Sequence, residues 1–189
     1  FLFKPSTKKY NVTAKVGFYT QVAGLGLTPK DVNLAEVQCK AEWMKGKKYD
    51  GTVNYNALCN FWRSVENFSS DAKLTTWAVS QATAMRKVNL TNGMNLHQEG
   101  GYASGGFLAD SKIGTFVSCG SQQQWLSRNV VTNVSGKATK WNYQSAVWNN
   151  FLVGSKTQHN KSDWPYGTNT VIEKTPKIAE KPYLAFTEN

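Results

Sequence analysis

"RSVENF", Arg63–Phe68, sets one β-branched residue among charged and amide neighbours, and the same arrangement returns along the chain. "RKVNLT" (Arg86–Thr91), "SKIGTF" (Ser111–Phe116), "RNVVTN" (Arg128–Asn133) and "NFLVGS" (Asn150–Ser155) each hold a short apolar core between polar flanks. With Val65, Val88, Ile113, Val130 and Leu152 taken as equivalent, the steps are 23, 25, 17 and 22 residues. A step of about 20–25 residues carrying one branched aliphatic residue at a fixed place marks a solenoid. The L-x-x-L-x-L pattern of leucine-rich repeats is absent, so strand–turn–strand rungs of a parallel β-helix fit better. An ordinary β-sandwich with strands at this spacing is the alternative.

The composition agrees with an all-β chain. Of 189 residues, 40% are hydrophobic and only 18% charged, with seven Trp, eight Tyr and nine Phe. That is enough apolar material for one core, and it is not the charged, aromatic-poor composition of disorder. Helical periodicity is scarce. Only "TPKDVNLAEVQ", Thr28–Gln38, passes as a helix, with Thr28 or Asp31 as cap, and its second half reads equally well as a strand. The β-helix is expected over residues 1–163, and 164–189 as an extended tail or linker toward a missing module or partner.

The net charge of +10 permits an acidic partner such as a uronate polymer. No motif supports nucleic-acid binding, and no apolar run approaches the roughly 18 residues of a membrane span. Phosphate-binding loops, zinc-protease and nucleophile-elbow motifs are missing as well, and no metal or cofactor is implied. His97 and His159 have no ligand partners nearby in sequence and read as surface residues. Five N-x-[S/T] sequons, at Asn11, Asn67, Asn89, Asn133 and Asn160, point to a secreted, extracellular glycoprotein whose leader has been removed. Three cysteines allow one disulfide; Cys39–Cys59, flanking a Lys- and Gly-bearing segment, is the expected pair, leaving Cys119 over.

The chemistry left to the chain is that of carboxylates and cations. Glu42, Glu66 and Asp110 sit in strand-like, aromatic-flanked contexts, and glycoside cleavage commonly uses two carboxyls, one as acid and one as base or nucleophile. Glu66 and Asp110 fall two rungs apart, about 10 Å at strand spacing, and are the catalytic candidates. Arg63, Arg86, Lys87, Lys112 and Arg128 fall at neighbouring places on successive rungs, where a cation column would suit a lyase acting on uronate polymers. In "CGSQQQWLSRN", Cys119–Asn129, alternation puts Gln122 and Gln124 on one face beside Trp125. Those three, with Arg128 and Arg86, would line a sugar-binding groove; an internal amide ladder is the competing reading.

Six strings are more specific: "VGFYTQVAGLG", "CNFWRSVEN", "WAVSQATAMRKV", "YASGGFLADSKI", "GSQQQWLSRN" and "KTPKIAEKPYL". In this order they resemble a family of secreted microbial proteins with a pectate-lyase-like right-handed β-helix, carrying names such as coagulation-factor-5/8-type or adenylyl-cyclase-like protein. That family is distantly similar to the family 55 glucan hydrolases. The resemblance runs from about Phe3 to Tyr183. It implies a right-handed parallel β-helix and a polysaccharide-acting glycoside hydrolase or a fragment of one. Such proteins have rungs before "FLFKP" and more chain after "EKPYL", so this chain is expected to be a processed fragment, one piece of a larger assembly or a minimal version. The family 55 enzymes form a groove between two β-helix modules and draw their acid from the later one, so the catalytic carboxyl here could lie on another module. Exposed strand edges at the two ends imply a homo-oligomer or a second β-helix chain as partner. The alternatives are a non-catalytic structural or adhesive β-helix and a polysaccharide lyase.

Overall fold

The computed structural model describes residues 1–42, 45–47, 51, 53–134, 143, 149–157 and 167–187, the side chains of 45 and 47 excepted. It is a right-handed parallel β-helix of about 7 turns. Among the described residues the main sheet has ten parallel strands, and seven of them follow one another rung by rung: β1 (Gln21–Gly24), β2 (Arg63–Ser70), β3 (Thr83–Leu90), β4 (Phe107–Ile113), β5 (Gln124–Val131), β6 (Asn149–Val153) and β7 (Asn169–Ile172). Leu74–Thr76, Gly93–Asn95 and Val117–Ser118 stack as a second sheet, and Tyr102–Ala103 pairs with Ser121–Gln122 in a third. Lys45–Lys47 and Val53–Tyr55 form an antiparallel hairpin outside the solenoid.

The pairing register corrects the sequence alignment. Val22, Val65, Met85, Leu108, Ser127 and Leu152 form one column, facing inward and buried. Phe68, Val88, Ser111 and Val130 form a second inward column three places further on. Val65 and Val88 therefore sit in different columns, although both face the core. The reason lies between them. Asn67, Lys87, Asp110, Asn129 and Gly154 all have φ between 51° and 57°, a left-handed conformation stacked rung upon rung. That bend turns each long strand through a corner, so two inward positions fall three residues apart instead of two. L-residues adopt this conformation at a cost of about 1–2 kcal/mol, least for Asn, Asp and Gly. Asn67 offsets it by donating from Nδ2 to the carbonyls of Gly24 (3.0 Å) and Gly26 (2.6 Å).

The main core is an apolar stack along the solenoid, with a smaller separate cluster of Ala41, Ala57, Ala78 and Ala103. Cys39, Trp77, Leu96 and Cys119 follow one another along the second sheet, each nearly inaccessible to solvent. Full burial of a large aliphatic side chain stabilises by about 1.5–3 kcal/mol, so each such column holds its rungs together. None of Cys39, Cys59 and Cys119 forms a disulfide, so the expected Cys39–Cys59 bridge is not made. Cys39 instead packs inward, with Sγ 3.3 Å from Arg63 Nη1 and 3.5 Å from Ala78 O. The stretch from Thr28 resolves as a 3₁₀ turn at Pro29–Asp31 followed by strand Asn33–Gln38. No helix among the described residues is long and apolar enough to cross a membrane.

The C-terminal segment begins after Ile172 rather than at 164, and it does not lead away from the solenoid. It turns back along the outer face and crosses the rungs in reverse order. The Thr175 hydroxyl donates to Asn129 Oδ1, Glu180 meets Arg128, Lys181 reaches Glu66, and Phe186 N–H donates to Leu25 O near the N-terminal rung. Lys87 Nζ lies 4.2 Å above the Tyr183 ring. Residues 173–187 are thus a strap lashed along the stack.

Candidate functional site

The strap explains the carboxylates that the sequence singles out. Ala23, Glu66, Arg86, Ala109, Arg128 and Val153 form the outward column just before the corner, and the strap lies over it. Both oxygens of Glu66 are engaged: Lys181 Nζ donates to Oε1 and Oε2 at 2.9 and 3.0 Å, Gln21 Nε2 to Oε1 at 2.9 Å, and Arg86 Nε to Oε2 at 2.6 Å. Burial pushes the Glu66 carboxyl up, but the Lys181 and Arg86 hydrogen bonds and charges together outweigh it and hold the carboxyl below its usual range. Arg86 also donates from Nη1 to Lys181 O (2.7 Å) and from Nη2 to Pro182 O (3.0 Å). Arg128 pairs with Glu180 at 2.6 Å and more loosely with Asp110 at 3.4 Å. Asp110 also accepts from Asn129 Nδ2 at 2.9 Å.

Glu66, Arg86, Arg128 and Asp110 therefore belong to one ion network that fastens the strap, and none of them lines the clefts described below. The expected cation column dissolves as well. Arg86 and Arg128 share a column with Glu66, Lys87 sits at the corner, Lys112 pairs beside Asn89, and Arg63 faces inward. Glu42 is exposed and lines a separate cleft of about 360 Å³ together with Lys15, Lys40 and Arg63.

The glutamine run divides at Gln123, the break between Ser121–Gln122 and β5. Gln122 points inward and is inaccessible: its Oε1 accepts from Gly105 N–H (2.6 Å), and its Nε2 donates to Val79 O (3.0 Å) and Leu96 O (2.7 Å). Gln124 points out into solvent. The two amides do not share a face, because the break shifts the alternation by one. Trp125 is interior too, with Nε1 3.2 Å from Ser127 Oγ, which in turn lies 2.7 Å from Tyr143 OH.

Gln124 does belong to a trough. At or just before the start of the main strands lies one column, Tyr19, Trp62, Ala82, Gly105, Gln124 and Asn149, set by the register of the strands. The first four have positive φ, 54°, 57°, 54° and 108°. Bulky at one end, this column shrinks to Ala82 and Gly105, and there the surface falls into a cleft of about 430 Å³. Gln81, Ser104 and Gln124 supply its polar groups, Phe107, Leu126 and Phe151 its apolar wall, and an edge of Trp125 reaches its floor. Gln81 Nε2 donates to Ser104 Oγ at 2.8 Å, which leaves the Gln81 carbonyl oxygen as an acceptor. A second hollow of about 330 Å³, bounded by Tyr19, Gln21, Trp62, Ser64 and Ala82, continues the trough past Ala82. None of the described residues lining either hollow is a carboxylate.

Of the residues singled out from sequence, Gln124 and Trp125 line the main trough and Arg63 its second hollow; Gln81, Ser104, Phe107, Trp62 and Tyr19 are unanticipated members. "SQAT" and "ASGG" carried the signal, since in each a small residue sits between a polar side chain and the strand that follows. The remaining sequence expectations fall elsewhere. His97 is half-buried, accepting from Gly100 N–H at Nδ1 (2.9 Å), and its burial lowers its pKa. His159 and Asn160 lie outside the described residues. Asn11 is exposed, Asn89 and Asn133 are partly exposed, and Asn67 is fully buried at its corner.

No protein-family model matches the chain. It is 41% identical over 188 residues to an exo-beta-1,3-glucanase of Streptomyces sp. (strain SirexAA-E / ActE), a match that covers 97% of this chain and 28% of that protein. In three dimensions it is similar to sacteLam55A from Streptomyces sp. SirexAA-E, with TM-score 0.81 and 38% identity over 98% of this chain and 31% of the other. A variant of sacteLam55A in complex with glucose matches with the same score and identity. The chain thus spans less than a third of the length of the relatives it matches. The likeness is to a glucan hydrolase; the coagulation-factor and adenylyl-cyclase names find no support in these matches.

Proposed function

We propose that this chain is a β-helix module of a secreted glycoside hydrolase acting on β-1,3-glucan, and that its trough holds the glucan. The observation that carries this is the lining: amides, a hydroxyl and aromatic edges along a shallow channel parallel to the solenoid axis. Those groups suit a pyranose, whose hydroxyls need planar donors and acceptors and whose C–H faces need apolar surface. A trough without a carboxylate binds and orients but does not protonate a leaving group, because glycosidic cleavage needs a positioned acid. The acid and base then come from another module facing the trough, as the similarity to a glucanase about three times longer suggests. A uronate lyase is disfavoured, since Arg86 and Arg128 are already neutralised by carboxylates and carbonyls of the protein itself.

Calorimetric titration of laminari-oligosaccharides into the chain tests this reading. Binding is expected without release of reducing ends, and Gly105→Leu, which fills the floor, is expected to abolish it. Absence of binding, together with concentration-dependent assembly in light scattering, would favour a structural or adhesive β-helix instead.

A further inference from the structure

Tyr19 and Trp62 stand at the high end of the trough column, and they share with Ala82 and Gly105 the positive φ of a turn stacked rung upon rung. Both are bulky, both have positive φ, and both are exposed, at 81% and 49%. A large side chain in the left-handed region is a true outlier, and such strain gathers at sites of function when the surroundings over-determine it. Here they do. Tyr19 N–H donates to Trp62 O at 2.7 Å, and Trp62 N–H reaches Gln81 O at 3.3 Å. Arg63 spans the strained residue, donating from Nε to Phe61 O at 3.2 Å, while its Nη1 anchors on Val16 O at 2.6 Å. Beneath, Phe61 packs against Phe18 and edge-on against Trp62, with ring centroids 5.3 and 4.9 Å apart. The Tyr19 and Trp62 rings lie 5.3 Å apart at 38°, side by side in solvent. The chain thus holds two aromatic surfaces outward where Asn, Asp or Gly would cost less.

We infer that Tyr19 and Trp62 form an aromatic shelf that receives a pyranose ring of a longer β-glucan chain, beyond the sugars held in the trough. This rests on reading the trough as a glucan site and extends it by naming where a longer chain goes. The hollow under the shelf, about 330 Å³, is within the range of small-ligand sites and shares Ala82 with the main trough. Gln21 and Ser64 border it with polar groups, as Gln81 and Ser104 do two rungs on. Trp62 precedes Gly105 by two rungs, about 10 Å along the axis, so one oligosaccharide can occupy both.

The test is a length series: a laminari-disaccharide and a laminari-hexasaccharide titrated into the wild-type chain, Tyr19→Gly, Trp62→Ala, Trp62→Phe and Gly105→Leu. Tyr19→Gly and Trp62→Ala are each expected to weaken the hexasaccharide about tenfold, the loss typical of an exposed aromatic anchor. The disaccharide should stay within about twofold, and Trp62→Phe should retain most of the affinity. Tyr19→Gly relieves a strained φ and removes little buried surface, so its Tm should not fall, which separates lost binding from lost folding. Unchanged hexasaccharide affinity in both shelf variants, with binding still lost in Gly105→Leu, overturns the shelf and leaves the trough standing. An equal loss of disaccharide affinity also overturns it, because shelf and trough would then be one site. If the wild-type chain binds neither sugar, both readings fall.

Discussion

Lys181 Nζ holds both oxygens of Glu66, at 2.9 and 3.0 Å, across 115 positions of sequence. With Arg86 donating to the same carboxylate and to two strap carbonyls, this tie joins the C-terminal segment to the second main strand. The Glu66 and Arg86 side chains are only 6% and 7% accessible, whereas that of Lys181 is 60% accessible. The weight of the tie therefore falls on the buried pair.

Glu66→Gln should destabilise the fold by about 3 kcal/mol, because a buried Arg86 loses its counter-charge. Lys181→Ala should cost under about 1 kcal/mol, as expected for a mostly exposed partner. The pH dependence follows from the sign of the Glu66 shift. Its folded carboxyl lies below the ordinary value of 4.5, so its stabilisation is complete above that pH and is lost as pH falls through the folded value. Thermal unfolding of wild type should drop more steeply below about pH 4.5 than that of Glu66→Gln, whose curve lacks this term. Parallel curves would show that the network contributes nothing.

The thiols should separate by reactivity. Burial pushes the Cys39 thiol up to about 11 against the opposing charge of Arg63, and Cys119 is inaccessible in the core stack. Only Cys59 is partly exposed. Native protein treated with an alkylating reagent near neutral pH should take up one label, at Cys59, and three after denaturation. A second fast-reacting thiol in the native state would contradict the placement of the core.

The fold was legible because every rung must put an aliphatic residue inside, and the recurrence of Val65, Val88, Val130 and Leu152 records that demand. Their exact phase was not, since the corner falls at Asn67, Lys87, Asp110 and Asn129; Lys87 breaks the Asn/Asp pattern, and in a chain rich in Asn such residues mark no single place. The same limit governed the site. Glu66 and Asp110 stood out as acids in apolar surroundings, yet the partners that occupy Glu66 are gathered from three distant places: Gln21, Arg86, and Lys181 of the strap 115 residues later. The trough was hidden for the opposite reason: Ala82 and Gly105 matter by being small, and a small residue carries no chemical mark. Gln122 and Gln124 looked equivalent because alternation was assumed to run unbroken through Gln123.

Glycosylation should discriminate among the sequons if the chain is produced in a glycosylating secretory host. Asn11 is exposed and its amide is open to modification, whereas Asn67 Nδ2 is buried and bonded to two carbonyls. Peptide mapping of folded protein should find glycan at Asn11 and none at Asn67. Asn67→Ala should also destabilise by about 2 kcal/mol, leaving two buried carbonyls unpaired at a left-handed corner.

Gln122 gives the sharpest separation between architecture and binding. Its amide joins three rungs, taking a hydrogen bond from Gly105 N–H and giving two, to Val79 O and Leu96 O, with no access to solvent. Replacing it by Leu keeps the volume roughly constant and orphans one buried donor and two buried acceptors, each costing about 1–3 kcal/mol. Gln122→Leu should therefore lose at least about 3 kcal/mol in denaturant unfolding, enough to shift the midpoint plainly. Gln124→Leu, two residues away but outward in the trough, should unfold within about 0.5 kcal/mol of wild type, as surface changes do. The sugar titration should reverse the order: Gln124→Leu weakens laminari-oligosaccharide binding, and the folded fraction of Gln122→Leu binds as wild type. If Gln122→Leu unfolds like wild type, the inward amide brace is wrong, and with it the shift of alternation at Gln123 that places Gln124 in the trough.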